Sequence, residues 1–488
     1  MSPKSVVVVS NRLPITIEKM EEEQWVNHSS SGGLVTAMGP VLRNRGGKWI
    51  GWLGVQEMPD DTSLNNLLSR SAEELGYALI PVNITGEEIE KYYHGFSNEI
   101  LWPLFHDLLS NCNFDPQYAN AYRKVNRKFA QAIAKGTHEK DYIWVHDYLL
   151  SLVARELRKI GAQRQTGFFL HTPFPPLDIF MKLPWRFEIL EAALEYDLLG
   201  FQTERDTKNF LGCVRYLLKL KATGRKNIKT IVTKKGEVHI GTFPISIDFK
   251  EFAKSAAAED VTQEVKIIRQ NHENRHLILG VDRLDYTKGI PHRLRAFAEA
   301  LACYPEMRGE IELIQIVVPS RVDVSSYQDL KQEIEALVGE INGRYTTGGW
   351  TPVHYMFRSV SRTELLAYYR ACETALITPL KDGMNLVAKE YCACNIDENG
   401  VVILSEFAGA AAELHHGALL VNPYDIEKVS RSIHQAFSME LDERRKRMKK
   451  LRESICRNDI FHWVNSFLGA SVKNPNNGPE VDFFVPSP

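Results

Sequence analysis

Short apolar runs alternate with longer amphipathic ones along most of this 488-residue chain. The runs at 6–10, 48–53, 77–82, 142–146, 167–171 and 197–202 are bounded by polar or turn-forming residues and read as strands or strand ends. Between them the spacing becomes helical. In 150–160, Leu150, Val153, Ala154 and Leu157 recur at i, i+3, i+4 and i+7, and Gly161 supplies a stop. Residues 228–239 read as a β-hairpin with Gly236 near its turn. At 242–248 Pro244 breaks the periodicity and a long polar helix follows, which places a domain boundary there. A second series then begins, with strands at 276–281, 312–318, 354–357, 374–378, 401–404 and 418–421 and helices such as 326–341 and 362–372 between them. Strands separated by helices specify parallel sheets. Two such series predict two Rossmann-like α/β domains, with ligands at the carboxyl ends of the strands in a cleft between the halves.

Length agrees with this division, since 488 residues exceed what one core holds. Hydrophobic residues at 44% and charged ones at 25% are ordinary globular usage, and a formal charge of −2 gives no reason to expect nucleic acid or an anionic membrane as partner. No apolar stretch approaches the roughly 18 residues of a membrane span, and the five-residue apolar run near the start is no secretory signal. Seven cysteines without paired spacing read as reduced, mostly buried thiols, so the expected location is cytoplasmic. The acidic stretch 18–24 reads as a solvated loop, and the Pro-rich stretch 472–488 as a loose tail.

Chemistry gathers where the strands are expected to end. Arg12, in Ser10-Asn-Arg-Leu-Pro14, follows the first strand, where a guanidinium fork suits a phosphate; an ordinary surface arginine is the plain alternative. Gly32 and Gly33 open a helix whose freed amides form an anion cradle or simply an N-cap turn. The aromatics Trp49, Trp52, Tyr92, Tyr93, Phe96 and Trp102 suit either a sugar platform or core packing. Asp147 and His171 each end a strand, the one suited to sugar hydroxyls and the other to orienting a hydroxyl or sharing a proton.

In the second half, Arg283 and Lys288 follow one strand and Arg321 the next. Three cations at successive strand ends hold a diphosphate without a metal, and the chain contains no Asp-x-Asp pair for a bridging ion. The segment Thr378-Pro-Leu-Lys-Asp-Gly-Met-Asn-Leu-Val-Ala-Lys-Glu390 reads as strand, turn and helix. Its amides at 383–386 face an anion, Asp382 sits where sugar hydroxyls are read, and Glu390 lies about two helical turns on, placed for ribose hydroxyls.

Together these segments, with Trp-Ile-Gly-Trp52, Trp-Val-His-Asp-Tyr148, Phe-Phe-Leu-His-Thr-Pro-Phe-Pro175 and Asp-Leu-Leu-Gly-Phe-Gln-Thr203, resemble the trehalose-6-phosphate synthase family of retaining GT-B glucosyltransferases over nearly the whole chain. The resemblance implies an acceptor domain at 1–243, a UDP-glucose domain at 244–457, and a helix in 458–488 that crosses back before a loose tail. It places glucose 6-phosphate on Arg12, Trp52, Tyr93, Asp147 and Arg321. It places UDP-glucose on Gly32, Gly33, Arg283, Lys288, Val360, Asp382, Gly383, Met384, Asn385, Leu386, Val387, Ala388, Lys389 and Glu390. His171, Arg283, Lys288 and Asp382 would carry the transfer, and Trp102 with His171 the choice of the α-anomer. No metal or other cofactor is implied. With no Asp-x-Asp-Gly-Thr motif in the chain, a separate phosphatase is expected to act on the product, and the chain itself has room to form a homo-oligomer. Two other readings are a sister transferase using an acceptor such as glycerol 3-phosphate, and a catalytically silent relative. A matching Arg12, Trp52 and Tyr93 weigh against the first, and an intact Arg283, Lys288, Asp382 and Glu390 against the second.

Overall fold

A computed structural model of the chain describes residues 5–19, 25–29, 33–45, 47–56, 58–224, 228–272, 275–320 and 324–472. It divides into two compact units, one holding the residues up to Pro244 together with those from Trp463 onward, the other Ile245–His462.

In the first unit the strands are β1 (Val6–Arg12), β2 (Ile15–Lys19), β3 (Trp25–Ser29), β4 (Lys48–Trp52), β5 (Ala78–Pro81), β6 (Tyr142–His146), β7 (Gln165–Leu170), β8 (Leu198–Phe201), β9 (Ala222–Thr223), β10 (Ile228–Thr233) and β11 (Gly236–Thr242). Nine of them form one sheet in the order β5-β4-β1-β6-β7-β8-β11-β10-β9. Pairing is parallel from β5 through β11 and antiparallel beyond. The run Val6–Val9 is wholly buried, as a central strand covered on both faces must be. The chain winds outward from β1 to β5 and then crosses to β6, so a crevice opens beside β1 at the carboxyl edge.

The second unit repeats the plan with β12 (His276–Arg283), β13 (Ile311–Val318), β14 (Val353–Phe357), β15 (Thr374–Ile377), β16 (Val401–Ser405) and β17 (Leu419–Val421). All are parallel, in the order β14-β13-β12-β15-β16-β17, and the reversal falls between β12 and β15. Strand alternation sorts the core into two layers. Leu277, Leu279, Ile314, Ile316, Ala375, Ile377, Val402 and Leu404 pack on one face with the helices Phe249–Ala256, Glu259–Asn271 and Leu386–Cys394. Ile278, Leu313, Val317, Leu376, Val401 and Ile403 pack on the other with Ile290–Cys303 and Ile426–Phe437.

Three details differ from the sequence reading. Residues 15–19 and 25–29 pair as an antiparallel hairpin, so Glu18 of the expected acidic loop lies in a strand opposite Val26; residues 20–24 lie outside the described set. Period-2 alternation over five residues was too short to announce this strand. Residues 150–160 are not one helix: a tight turn at Tyr148–Leu150 precedes the helix Val153–Lys159, because the Tyr148 carbonyl is taken by the hydroxyls of Tyr122 and Ser151. A thirteen-residue helix with i to i+5 hydrogen bonding, Ile89–Leu101, carries Tyr92, Tyr93 and Phe96 and was not anticipated. As expected, the seven cysteines are free thiols and mostly buried, with Cys303 and Cys456 exposed. No helix among the described residues is long and apolar enough to cross a membrane.

The helix Ile460–Val472 contributes Trp463 and Phe467 to the first unit's core. The Trp144 ring stacks on both, at 4.8 and 4.4 Å between centroids, and Phe169 meets Trp463 edge-on at 5.0 Å. The Trp463 indole N–H donates to the Phe243 carbonyl at 3.0 Å. Replacing Trp463 with Ala removes the stacking and orphans that carbonyl. A loss of about 3–5 kcal/mol is expected in the unfolding transition of this unit, measured by denaturant titration; a loss under about 1 kcal/mol would show that the helix is not part of the core.

Candidate active site

Most of the functional side chains sit where a strand of one of the two large sheets runs out, while Tyr93 and Glu390 are carried by helices. At the end of β1, Arg12 projects to solvent with its guanidinium 4.8 Å from the Trp52 ring and 5.7 Å from that of Tyr93. No carboxylate pairs with Arg12 among the described residues. Gly54 makes this position possible: it has φ +88°, and a Cβ there would lie 2.9 Å from Arg12 Nη1. Two aromatic faces thus hold a cation that no described carboxylate compensates, an arrangement that favours an incoming phosphate.

The remaining aromatics divide. Trp49, fully buried, stacks on Tyr77 and donates to the Ser10 hydroxyl at 2.8 Å, so it is core. Phe96 packs on Tyr122 in the core, whereas the Tyr92 hydroxyl donates to Asn11 at 2.8 Å and so braces the segment that carries Arg12. Trp102 is buried against His106 and Tyr148.

Asp147 follows β6, across the crevice from Arg12's strand. Its backbone has φ 74° and ψ 165°, a region nearly reserved for glycine. The Phe169 carbonyl holds its N–H at 2.8 Å, and its carboxylate accepts the amides of His171 and Thr172 at 3.3 and 3.4 Å. Burial pushes its pKa up to about 6, with the amides of Tyr148, His171 and Thr172 pulling the other way.

His171, after β7, is buried and shares a hydrogen bond with His146, Nε2 to Nδ1 at 3.0 Å. Burial lowers the His171 pKa to about 3 and pushes that of His146 well below its usual value. Both rings are therefore neutral near pH 7, and His171 can orient a hydroxyl but does not deliver a proton as an imidazolium.

In the second unit Arg283 ends β12, exposed and without an ion pair among the described residues. Lys288 lies in the tight turn that follows and pairs with Asp382 at 2.5 Å. Burial opposes its charge, but Asp382, Asp282 and Asp285 more than offset this and hold its pKa above the usual value. The turn closes on Gly289, φ +65°, where a Cβ would fall 2.4 Å from the Thr378 carbonyl. That close approach draws the ends of β12 and β15 together.

Asp382 is fixed on both oxygens: the Met384 amide donates to Oδ1 at 3.0 Å, and Lys288 and the Asn385 amide group bind Oδ2. Asn385, at φ 68°, caps the helix Leu386–Cys394 through the Ala388 amide. The amides of Leu386 and Val387, which the helix's own ladder cannot reach, are left at its amino end. Glu390 is half-buried and accepts the Tyr369 hydroxyl at 2.8 Å; burial raises its pKa, and this bond offsets part of the rise. Val360 is half-buried in the loop after β14, and Gly383 is buried in the turn. Lys389 differs from the sequence expectation in where its charge goes. It is buried, donates to the Ile245 carbonyl at 2.8 Å and pairs with Glu413 at 2.6 Å, because its place on the helix turns it into the core. Gly33 opens the helix Gly33–Arg45, while Gly32 and Arg321 lie outside the described residues.

Beneath this edge Arg293, wholly buried, pairs with Asp282 at 2.7 Å and donates to Gln315 and Thr378. Asp282 stands beside Arg283 in sequence, and strand alternation, the one available signal, turns it inward; nothing short-range pointed to Arg293 or His146.

Against this geometry, a sequence model of glycosyltransferase family 20 matches residues 4–472. The chain belongs to glycosyltransferase family 20. Among relatives it is 43% identical over 475 residues to the trehalose-6-phosphate synthase of Mycobacterium leprae, covering 96% of this chain and 95% of that one. A structure of an α,α-trehalose-phosphate synthase (UDP-forming) from Burkholderia xenovorans in complex with glucose-6-phosphate is 33% identical with a TM-score of 0.85, covering 96% and 99% of the two chains. An E. coli structure bound with UDP-2-fluoro glucose is 36% identical with a TM-score of 0.85, covering 98% and 100%. The two doubly wound sheets and these likenesses identify the GT-B class of α/β fold.

The raised Asp147 carboxyl gives a stability test within this family 20 chain. It binds its proton more tightly folded than unfolded, so its contribution is greatest below the ordinary 3.8 and is lost as pH rises through about 6. Asp147→Asn is neutral throughout. Its stability relative to the parent chain should therefore improve by about 2–3 kcal/mol between pH 4 and pH 7, read by urea unfolding at each pH. A pH-independent difference would mean that the carboxyl titrates normally.

Proposed function

We propose that the chain transfers glucose from UDP-glucose to glucose 6-phosphate with retention, giving α,α-trehalose 6-phosphate and UDP. The observation that carries this reading is that one family 20 chain places a guanidinium with no carboxylate partner among the described residues at the crevice of each of its two large sheets, Arg12 in one and Arg283 in the other. One suits a phosphorylated acceptor and the other a nucleotide diphosphate. In this reading Arg12 and Arg321 take the acceptor phosphate, Trp52 and Tyr93 line the sugar, and Asp147 accepts its hydroxyls. Trp102 and His171 favour the α-anomer. Gly32 and Gly33, with the amides of Gly383, Asn385, Leu386 and Val387, face the donor, while the Met384 amide stays on Asp382; Glu390 takes the ribose, and the backbone at Val360 meets the uracil. Ala388 and Lys389 support that turn from the helix rather than through their side chains.

The bond from the anomeric carbon to the β-phosphate oxygen breaks as the acceptor's anomeric oxygen adds on the same face. The acceptor proton passes to the departing phosphate. Arg283 and Lys288 stabilise the charge that develops there, the role a metal plays elsewhere, so no metal or cofactor is required. Asp382 is held by Lys288, Asn385 and the Met384 amide, which suits reading a donor hydroxyl and not nucleophilic attack. A separate phosphatase then acts on the product.

UDP release from purified protein and UDP-glucose decides the matter. Release is expected with glucose 6-phosphate and neither with glycerol 3-phosphate nor without acceptor, and the product should be a non-reducing disaccharide phosphate. Release with glycerol 3-phosphate would assign the sister activity, and none with either would leave a silent relative. Lys288→Ala should lower kcat by about 10²–10³ with little change in acceptor KM, whereas Arg12→Ala should raise acceptor KM. If Lys288→Ala keeps its turnover and raises only that KM, the assigned role of Lys288 is wrong.

A further inference from the structure

Away from the carboxyl edge, the second sheet carries a cluster with no part in the transfer chemistry. Glu312 is the second residue of β13 and is completely buried. In the parallel register Ile314 faces His354 of β14, so His354 sits diagonally beside Glu312 on the same face. The helix Glu259–Asn271 covers that face and ends in His272. His272 Nδ1 hydrogen-bonds Oε2 of Glu312, and His354 Nε2 lies 3.2 Å from the same carboxylate group, also at Oε2. The two rings stand at 89° with centroids 4.8 Å apart, and the three ligand atoms all lie within 4.8 Å of one another.

Arg275 explains why this is more than a neutralised carboxylate. Its guanidinium already satisfies Oε1 of Glu312 at 2.5 Å and donates onward to the Gly349 carbonyl. One arginine is enough to balance a buried glutamate, yet two imidazoles converge on the remaining oxygen. A carboxylate held by a hydrogen bond on one oxygen, with two imidazole nitrogens beside the other, is how a metal-binding carboxylate is usually oriented. One side stays open, since the His354 side chain is 36% exposed.

We propose that His272, Glu312 and His354 bind a divalent first-row transition ion, with zinc the simplest fit to two imidazoles, one carboxylate and a water. Binding moves the imidazole protons to the far ring nitrogens, so Nδ1 of His272 and Nε2 of His354 present lone pairs, while Arg275 stays on Oε1. The ion joins the amino-terminal ends of β13 and β14 to the end of a covering helix. It is a staple for the second unit and is separate from that unit's reaction residues Arg283, Lys288 and Asp382, which stand at or after the ends of β12 and β15 on the opposite, carboxyl edge of the sheet.

The test uses tag-free full-length protein, freed of metal by a chelator and then titrated with Co2+ as a visible probe and with Zn2+ in competition. One equivalent of Co2+ should give d–d absorption that Zn2+ removes, and Zn2+ should raise Tm in a concentration-dependent way. His354→Ala, at a partly exposed position, should weaken binding by about tenfold or more and keep the glucosyl-transfer rate, which reports that it is folded. His272→Asn gives a second, independent variant with the same expectation. Absence of the Co2+ band together with an unchanged Tm would overturn the proposal, as would undiminished affinity in both variants, which would put the ion elsewhere among the chain's fifteen histidines.

Discussion

A parallel sheet that reverses its winding leaves a crevice beside its first strand, and any charge set into that crevice must be paired, hydrogen-bonded or left to water. The second unit takes the first course twice over. Arg293 and Asp282 are buried against each other beneath the strand ends, and Lys288 and Asp382 form a second pair above them. Removing two charges from water costs several kcal/mol per ion, recovered only when geometry and further hydrogen bonds are good. Gln315 and Thr378 on Arg293, and Asn385 and the Met384 amide on Asp382, supply those bonds. Lys288 is held in position before any ligand arrives, while Arg283, one residue beyond Asp282, is left to solvent. The first unit takes the other course: among the described residues Arg12 has no carboxylate partner, and it rests on aromatic faces.

This difference bears on chemistry. A guanidinium without a carboxylate loses nothing when a phosphate arrives, which suits binding. A lysine already engaged by a carboxylate holds its charge and place, which suits meeting charge that develops during a reaction. Loops could hold the same residues, but strand ends are stiffer, because each is fixed by a register that slips only at the cost of a whole buried face.

Much of this was legible in the chain. Fully apolar strands such as Val6–Val9 mark their own ends, so Arg12, Asp147, His171, Arg283 and Asp382 could be placed on one edge of a sheet before any coordinates. The fate of a side chain within a helix was less legible. Lys389 and Glu390 are neighbours in one motif, yet a rotation of about 100° per residue sends one to the core and leaves the other half-exposed. The aromatic segments were ambiguous for a similar reason, since Trp49 and Trp52 belong to the same strand and only tertiary contacts decide which supports Arg12. The cluster of His272, Glu312 and His354 left no trace in spacing, because its members come from a helix end and two strands and are joined only by register.

Each unit keeps a strained non-glycine residue near its crevice. Each carries a non-glycine residue at positive φ after the strand that begins the return half of its sheet, Asp147 after β6 and Asn385 after β15. Such conformations cost about 1–3 kcal/mol each, and glycine would adopt them freely. Glycine would also leave nothing to aim. Asp147's carboxylate holds the amides of His171 and Thr172, and Asn385's side chain caps the helix that presents the free amides of Leu386 and Val387. The side chains are the reason the strain is kept, and the surrounding contacts, the Phe169 carbonyl on one and the Lys288–Asp382 pair on the other, are what hold it. Arg12, His171 and Arg283 reach the crevice edges from ordinary backbone, so the strain follows the hydrogen-bonding task of the Asp147 and Asn385 side chains and not the crevice itself.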